Sequence, residues 1–200
     1  MAPVPSAADA ANDLLLQVEA HCIQPGRAFK DFLVPPTGWD AVPAGEVRDH
    51  FAMAALTISA WYGMDRRGEQ DQTETTAEIQ KSIAKEIERD IEDFNKREGA
   101  VFRHGASGSM LVVETDGRGW FHMTCTLWPS AGNEALQQHI LNRWTLPIPR
   151  AKTSPFGDVR ETSVHIRRNG VPAKLKADVY RVPVEVGPVP LYLELTLLPL

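Results

Sequence analysis

Cysteine is scarce: Cys22 and Cys125 are the only two in 200 residues. Two thiols build neither the disulfide lattice of a small secreted scaffold nor a cysteine-based zinc module. One pairing between them, as in a secreted protein, stays open. Long apolar runs are missing as well. The most apolar stretch, 51–62, is far short of the roughly 20 residues a membrane-spanning helix needs, and it reads as a buried core helix. No lysine or arginine precedes Arg27, and no apolar core of signal-peptide type leads the chain. The expectation is a soluble chain of the cytoplasm or of an intracellular or viral particle. Positive charge is not in excess either, with 21 Lys and Arg against 26 Asp and Glu and a net charge of -5. That excludes a uniformly basic nucleic-acid coat. Internal repeats, low-complexity tracts and glycine-serine linkers are not apparent.

What is present is enough apolar material for a core, 43% of the chain. The first half has helical period. Ser6 stands where an N-cap belongs, ahead of a helix from Ala7 to about Cys22 with Leu14, Leu15 and Val18 on one side. Pro25-Gly26 stops it, and the proline- and glycine-rich 33–45 reads as an extended connector. A buried helix follows from about Glu46 to Tyr62, ending at Gly63. Thr75 and Glu78 form a capping box at the head of a charged helix over about 75–98. On it Ile79, Ile83, Ile87, Ile91 and Phe94 fall within an arc of about 120° at 100° per residue. A lone helix of this kind is marginal in water, so its stripe has to be covered, by the rest of the chain or by another subunit.

After Gly99 the period changes from helical to alternating. Met110–Thr115 and Trp120–Trp128 flank Asp116-Gly117-Arg118-Gly119, a hairpin pattern in which Phe121, Met123, Cys125 and Leu127 share the core face. A short helix spans about 133–144, with Leu136, Ile140 and Leu141 on one side. Asn169-Gly170 suits a type I′ turn joining Val159–Arg167 to Val171–Val182. The last strand alternates Leu191, Leu193, Leu195 and Leu197 against Tyr192, Glu194 and Thr196. Pro183, Pro188 and Pro190 before it cannot donate to a central ladder, so the approach to it lies at an edge or crosses open space. It is expected to be an edge strand. The predicted fold is therefore α+β. N-terminal helices (1–98) pack on a C-terminal antiparallel sheet (99–200) of about five to six strands, two hairpins plus a C-terminal edge strand, as one compact unit.

Motifs that carry chemistry do not assemble well. Arg103-His104-Gly105 resembles the short signature of the histidine phosphatases, in which the histidine accepts the phosphoryl group. That family sets the motif after the first strand of a doubly wound parallel sheet, whereas here an antiparallel hairpin follows and no βαβ pattern exists. Gly105-Ala106-Ser107-Gly108-Ser109 lacks the helix that a phosphate cradle needs and the final glycine of a nucleophile elbow. The six histidines show no metal-ligand spacing. His122, on a tryptophan-flanked strand face, is the one to inspect first. No catalytic residue, metal site or cofactor is assigned.

Charge is distributed more tellingly. Met1–Met64 holds three basic and seven acidic residues, and 65–98 seven and eleven. From Arg143 to Arg181 there are nine basic residues against three acidic. The expected function is a non-catalytic structural or assembly subunit that docks to copies of itself or to a protein partner. Its surfaces would be the isoleucine stripe, the basic hairpin and the leucines of the last strand. One alternative is contact with a polyanion such as nucleic acid through Arg160, Arg167, Arg168, Lys174, Lys176 and Arg181. The other is a small hydrolase or phosphotransfer enzyme using His104 and its neighbouring serines.

Overall fold

The computed structural model describes residues 6–23, 29–43, 46–47, 85, 88–89, 92, 99–115, 123–130, 133–144, 150–154, 157–168, 171–181 and 191–199. Helix α1 (Ala7–Ile23) begins where Ser6 predicts. The Ser6 Oγ accepts from the Asp9 amide at 3.2 Å, and the Asp9 carboxylate accepts in return from the Ser6 hydroxyl and amide. This reciprocal arrangement satisfies amides that the first helical turn leaves without partners. Beyond a single turn, α2 (Phe29–Phe32), comes the short strand β1 (Trp39–Ala41). Next in the described chain are β2 (Gly99–His104), β3 (Met110–Thr115) and β4 (Met123–Trp128). Helix α3 (Glu134–Trp144) is capped by Asn133, whose Oδ1 accepts from the Leu136 amide at 3.2 Å. The chain then runs through β5 (Arg150–Ser154), β6 (Gly157–Arg168), β7 (Val171–Arg181) and β8 (Leu191–Pro199).

The fold is α+β, and its strands make one antiparallel sheet of eight in the order β1-β2-β3-β4-β8-β7-β6-β5. The sheet is thus wider than the five to six strands expected. Its order is symmetric about the β4–β8 pair. A helix followed by a four-strand meander occurs twice, α1 with β1–β4 and α3 with β5–β8, and the two meanders join through their last strands. Nothing in the sequence advertises this repeat. In the first half residues 42–98 intervene between β1 and β2, so the halves differ in length and share no spacing.

Two expectations about register need correction. The last strand is not an edge: β8 lies between β4 and β7 and pairs with both. The prolines that argued for an edge stand at 183, 188 and 190, before the strand begins, so they take no amide from its ladder. The β3–β4 register is also not the one that a four-residue Asp116–Gly119 turn gives. Thr115 pairs with Met123, whereas a four-residue turn would set Thr115 opposite Trp120 and hence Val113 opposite His122. The observed register sets Val113 opposite Cys125 and Leu111 opposite Leu127, apolar against apolar on the core face. Trp120, Phe121 and His122 lie outside the described residues.

The core forms where the helices meet the sheet. Leu14, Leu15, Val18 and Cys22 of α1, and Leu136 and Ile140 of α3, pack on Phe102, Leu111, Val113, Met123, Cys125, Leu127, Leu175, Leu191, Leu193 and Leu195. Polar contacts fix the helices in place. Arg143 on α3 pairs with Glu19 on α1, and the Trp39 indole N–H donates to Gln17 at 3.1 Å. His21, buried at 3% exposure, donates through Nε2 to the Phe32 carbonyl at 3.0 Å and meets Phe32 and Phe102 edge to face. Cys22 and Cys125 are joined by a disulfide. Among the described residues no helix is long and apolar enough to cross a membrane.

Because Leu193 is fully buried in the centre of the sheet, Leu193→Ala is expected to cost about 2–5 kcal/mol, read as a lower urea midpoint. Deleting residues 187–200 is expected to abolish cooperative unfolding, because the halves would lose the strand that joins them.

Candidate functional site

Strand residues alternate, so the residues between the core positions populate the opposite face of the sheet. There three aromatic rings on adjacent strands form a stack. Trp128 and Tyr192 lie 4.2 Å apart with planes 19° from parallel, and Tyr192 and Tyr180 lie 4.3 Å apart at 9°. Trp128 and Tyr192 are buried, together with Val101, Met110 and Val112. Two residues along each strand the face turns polar. Asp178 pairs across the ladder with Glu194, and Glu194 pairs on its other side with Thr126. Lys176 donates from Nζ to Asp178 Oδ2 at 2.6 Å. The Thr196 hydroxyl makes a long contact of 3.4 Å with Glu194 Oε1.

Glu194 is the electrostatic exception of this face. Burial raises its carboxyl above the ordinary glutamate value, and the neighbouring Asp178 charge raises it further, against the opposing influence of Lys176 and Thr196. An ion-paired aspartate thus stands beside a glutamate whose neutral form burial favours, next to a stacked aromatic wall. Glu194 is legible in the sequence only as a polar residue alternating with leucines. On an edge strand such a glutamate faces water, and the central position of β8 is what buries it.

The second constellation is the β2–β3 connection. His104 Nδ1 lies 2.9 Å from Ser107 Oγ and accepts from the Ser107 amide at 3.2 Å. Ser107 Oγ is 3.0 Å from Ser109 Oγ and accepts from the Ser109 amide, while Ser109 Oγ accepts from the Ser130 amide at 3.2 Å. The His104 ring leans on Trp39, with centroids 5.1 Å apart. Gly108 adopts a positive φ of 69°, which lets its amide donate back to the His104 carbonyl at 2.8 Å. The serines foreseen beside His104 are therefore there. However, Nδ1 already accepts a backbone amide, which ties up the lone pair a general base would use on Ser107. The geometry is that of a loop brace. Burial lowers the His104 pKa, keeping the ring neutral as the brace requires.

The remaining residues singled out from sequence are dispersed. Ile79, Ile83, Ile87, Ile91 and Phe94 lie outside the described residues; on the same stretch Lys85, Glu88, Arg89 and Glu92 are helical and exposed. Leu191, Leu193 and Leu195 are enclosed in the core and cannot serve as docking contacts. Leu197 pairs with Met123 and Leu175 through its backbone. Among the basic residues Arg167 is exposed, Lys174 is half-buried, and Lys176 is held by Asp178. Arg160, Arg168 and Arg181 occupy the alternate positions of their strands, opposite Val179, Val171 and Asp158. The six do not line one face. Among the described residues no three His, Cys, Asp or Glu side chains gather as a metal site.

Comparison with known proteins finds no matching family, no matching curated protein and no matching solved structure.

Two pH effects are expected. A carboxyl raised in the folded state adds stability below its unfolded value and loses it as pH rises through the folded value. Glu194→Gln is therefore expected to raise the urea midpoint at pH 7 and leave it nearly unchanged at pH 4. A histidine lowered in the folded state works the other way: its contribution is complete above pH ~6.5 and is lost as pH falls through the folded value. His104→Asn retains an acceptor for the Ser107 amide but cannot titrate. Its stability is expected to change less than that of the parent between pH 7 and pH 5.

Proposed function

We propose that this chain is a non-catalytic assembly subunit that associates with further copies of itself. The basic β5–β6–β7 margin of one copy would dock against the acidic N-terminal half of the next. The observation that carries this reading is the strand order. It gathers most of the basic 143–181 stretch into the last three strands on one side of the sheet, and ends that side on β5. Ser163, His165 and Arg167 are exposed at alternate positions of β6. No strand pairs with the outer side of β5 among the described residues. Opposite charge on two regions of one chain steers copies together and sets their register. Because the two patches differ, the contact is heterologous: it closes into a ring or runs on as a filament.

The isoleucine-striped helix remains part of the proposal as a second, apolar contact, supported by the exposed charged residues on that stretch. The last strand does not, since Leu191, Leu193 and Leu195 are enclosed. The His104 enzyme reading is not carried forward either, because the lone pair it needs is engaged.

Light scattering coupled to size exclusion tests the proposal. The mass is expected to rise with protein concentration at low salt and to fall toward one copy near 0.5 M salt, where the screening length is only a few ångströms (about 3 Å at 1 M). The charge-reversed pair Arg167→Glu with Lys174→Glu is expected to stay monomeric at low salt while still unfolding cooperatively. A monomer at every concentration and salt would overturn self-association. Tight, salt-dependent binding of a DNA oligonucleotide by a monomer would transfer the basic margin to the polyanion reading.

A further inference from the structure

The disulfide ties α1 to a central strand of the sheet. Cys22 and Cys125 are 103 residues apart in sequence, and their Cα atoms lie 6.1 Å apart, inside the range such a bond spans without moving the backbone. Each is 1% exposed, within the core that holds Leu15, Val18, Met123 and Leu195. Thiol–disulfide exchange needs a thiolate to approach a sulfur directly. In the closed core no such approach exists, so the bond can neither form nor break quickly once the chain has folded.

We infer that the Cys22–Cys125 bond is a structural lock set during folding, and that the chain matures where an oxidant is at hand rather than in a reducing cytosol. In forming it the two thiols give up two protons and two electrons. The new S–S bond appears as the S–S bond of a disulfide-bearing oxidant breaks, and the oxidant leaves as a dithiol. This inference replaces the intracellular setting expected from the sequence. It does not depend on self-association, since an oxidising compartment suits monomer and assembly alike.

Alkylation in denaturant followed by intact mass tests it, using full-length chain produced through an oxidising export route. No alkyl group is expected without reductant, and two are expected after reduction. In the native state the bond is expected to survive millimolar dithiothreitol for hours and to be lost within minutes once denaturant is added. Replacing both cysteines, Cys22→Ser with Cys125→Ser, is expected to lower the melting temperature by about 5–15 °C. Two free thiols in the exported chain would overturn the bond. Equal rates of reduction with and without denaturant would overturn the lock. A chain made in a reducing cytosol, with both thiols free and the same melting temperature, would overturn the maturation inference.

Discussion

Cys125 faces Leu195 and Leu127 faces Leu193 across the β4–β8 ladder, and the architecture rests on this pairing. Each half of the chain supplies a helix and a four-strand meander. Neither meander closes on itself, so each presents its last strand to the other. Antiparallel pairing with a period of two then decides which residues meet the helices. A one-residue slip of β8 here would turn Leu191, Leu193 and Leu195 out of the core together. The Glu19–Arg143 pair and the helices above reinforce that seam, but the seam decides the parity of every other strand.

The same parity has a cost on the opposite face. Putting Leu193 and Leu195 inward puts Glu194 between them on the far side, beside Asp178 and beyond the Trp128–Tyr192–Tyr180 stack. A carboxyl in such a place is held partly by Thr196 and opposed by its neighbour. Polar groups of this kind add little to stability, yet they penalise other registers, because a shifted strand would bring the carboxylates into the apolar layer. The aromatic stack contributes in a complementary way, since its rings on three adjacent strands meet only when all three are aligned.

Much of the local structure was legible in the sequence. Ser6 marks a helix start by its side-chain chemistry, and the core faces of β4 and β8 follow from simple alternation. Asn169-Gly170 lies where Arg168 pairs with Val171. The sheet's order was not legible, because it depends on which distant strands pair. Prolines ahead of Leu191 carry the signature of an edge approach whether the strand that follows is outermost or central. The Glu194 site was hidden for the same reason. The His104 brace was half visible: its serines stand at the right spacing, but only the fold shows that a backbone amide occupies Nδ1. A pairing of the two cysteines stayed open in the sequence and no more than that, since no local rule relates residues so far apart.

The position of the sulfur bridge also determines how the molecule comes apart if its backbone is cut. Both ends of the bridge belong to the first half, at Cys22 and Cys125, and the second half begins with α3. A single protease nick anywhere between those cysteines yields two fragments that stay attached through sulfur, even in denaturant. A nick after Cys125, by contrast, leaves the second half with no covalent tether. The peptide link ahead of α3 is thus the one place where a single scission converts the internal pair of meanders into two separable chains.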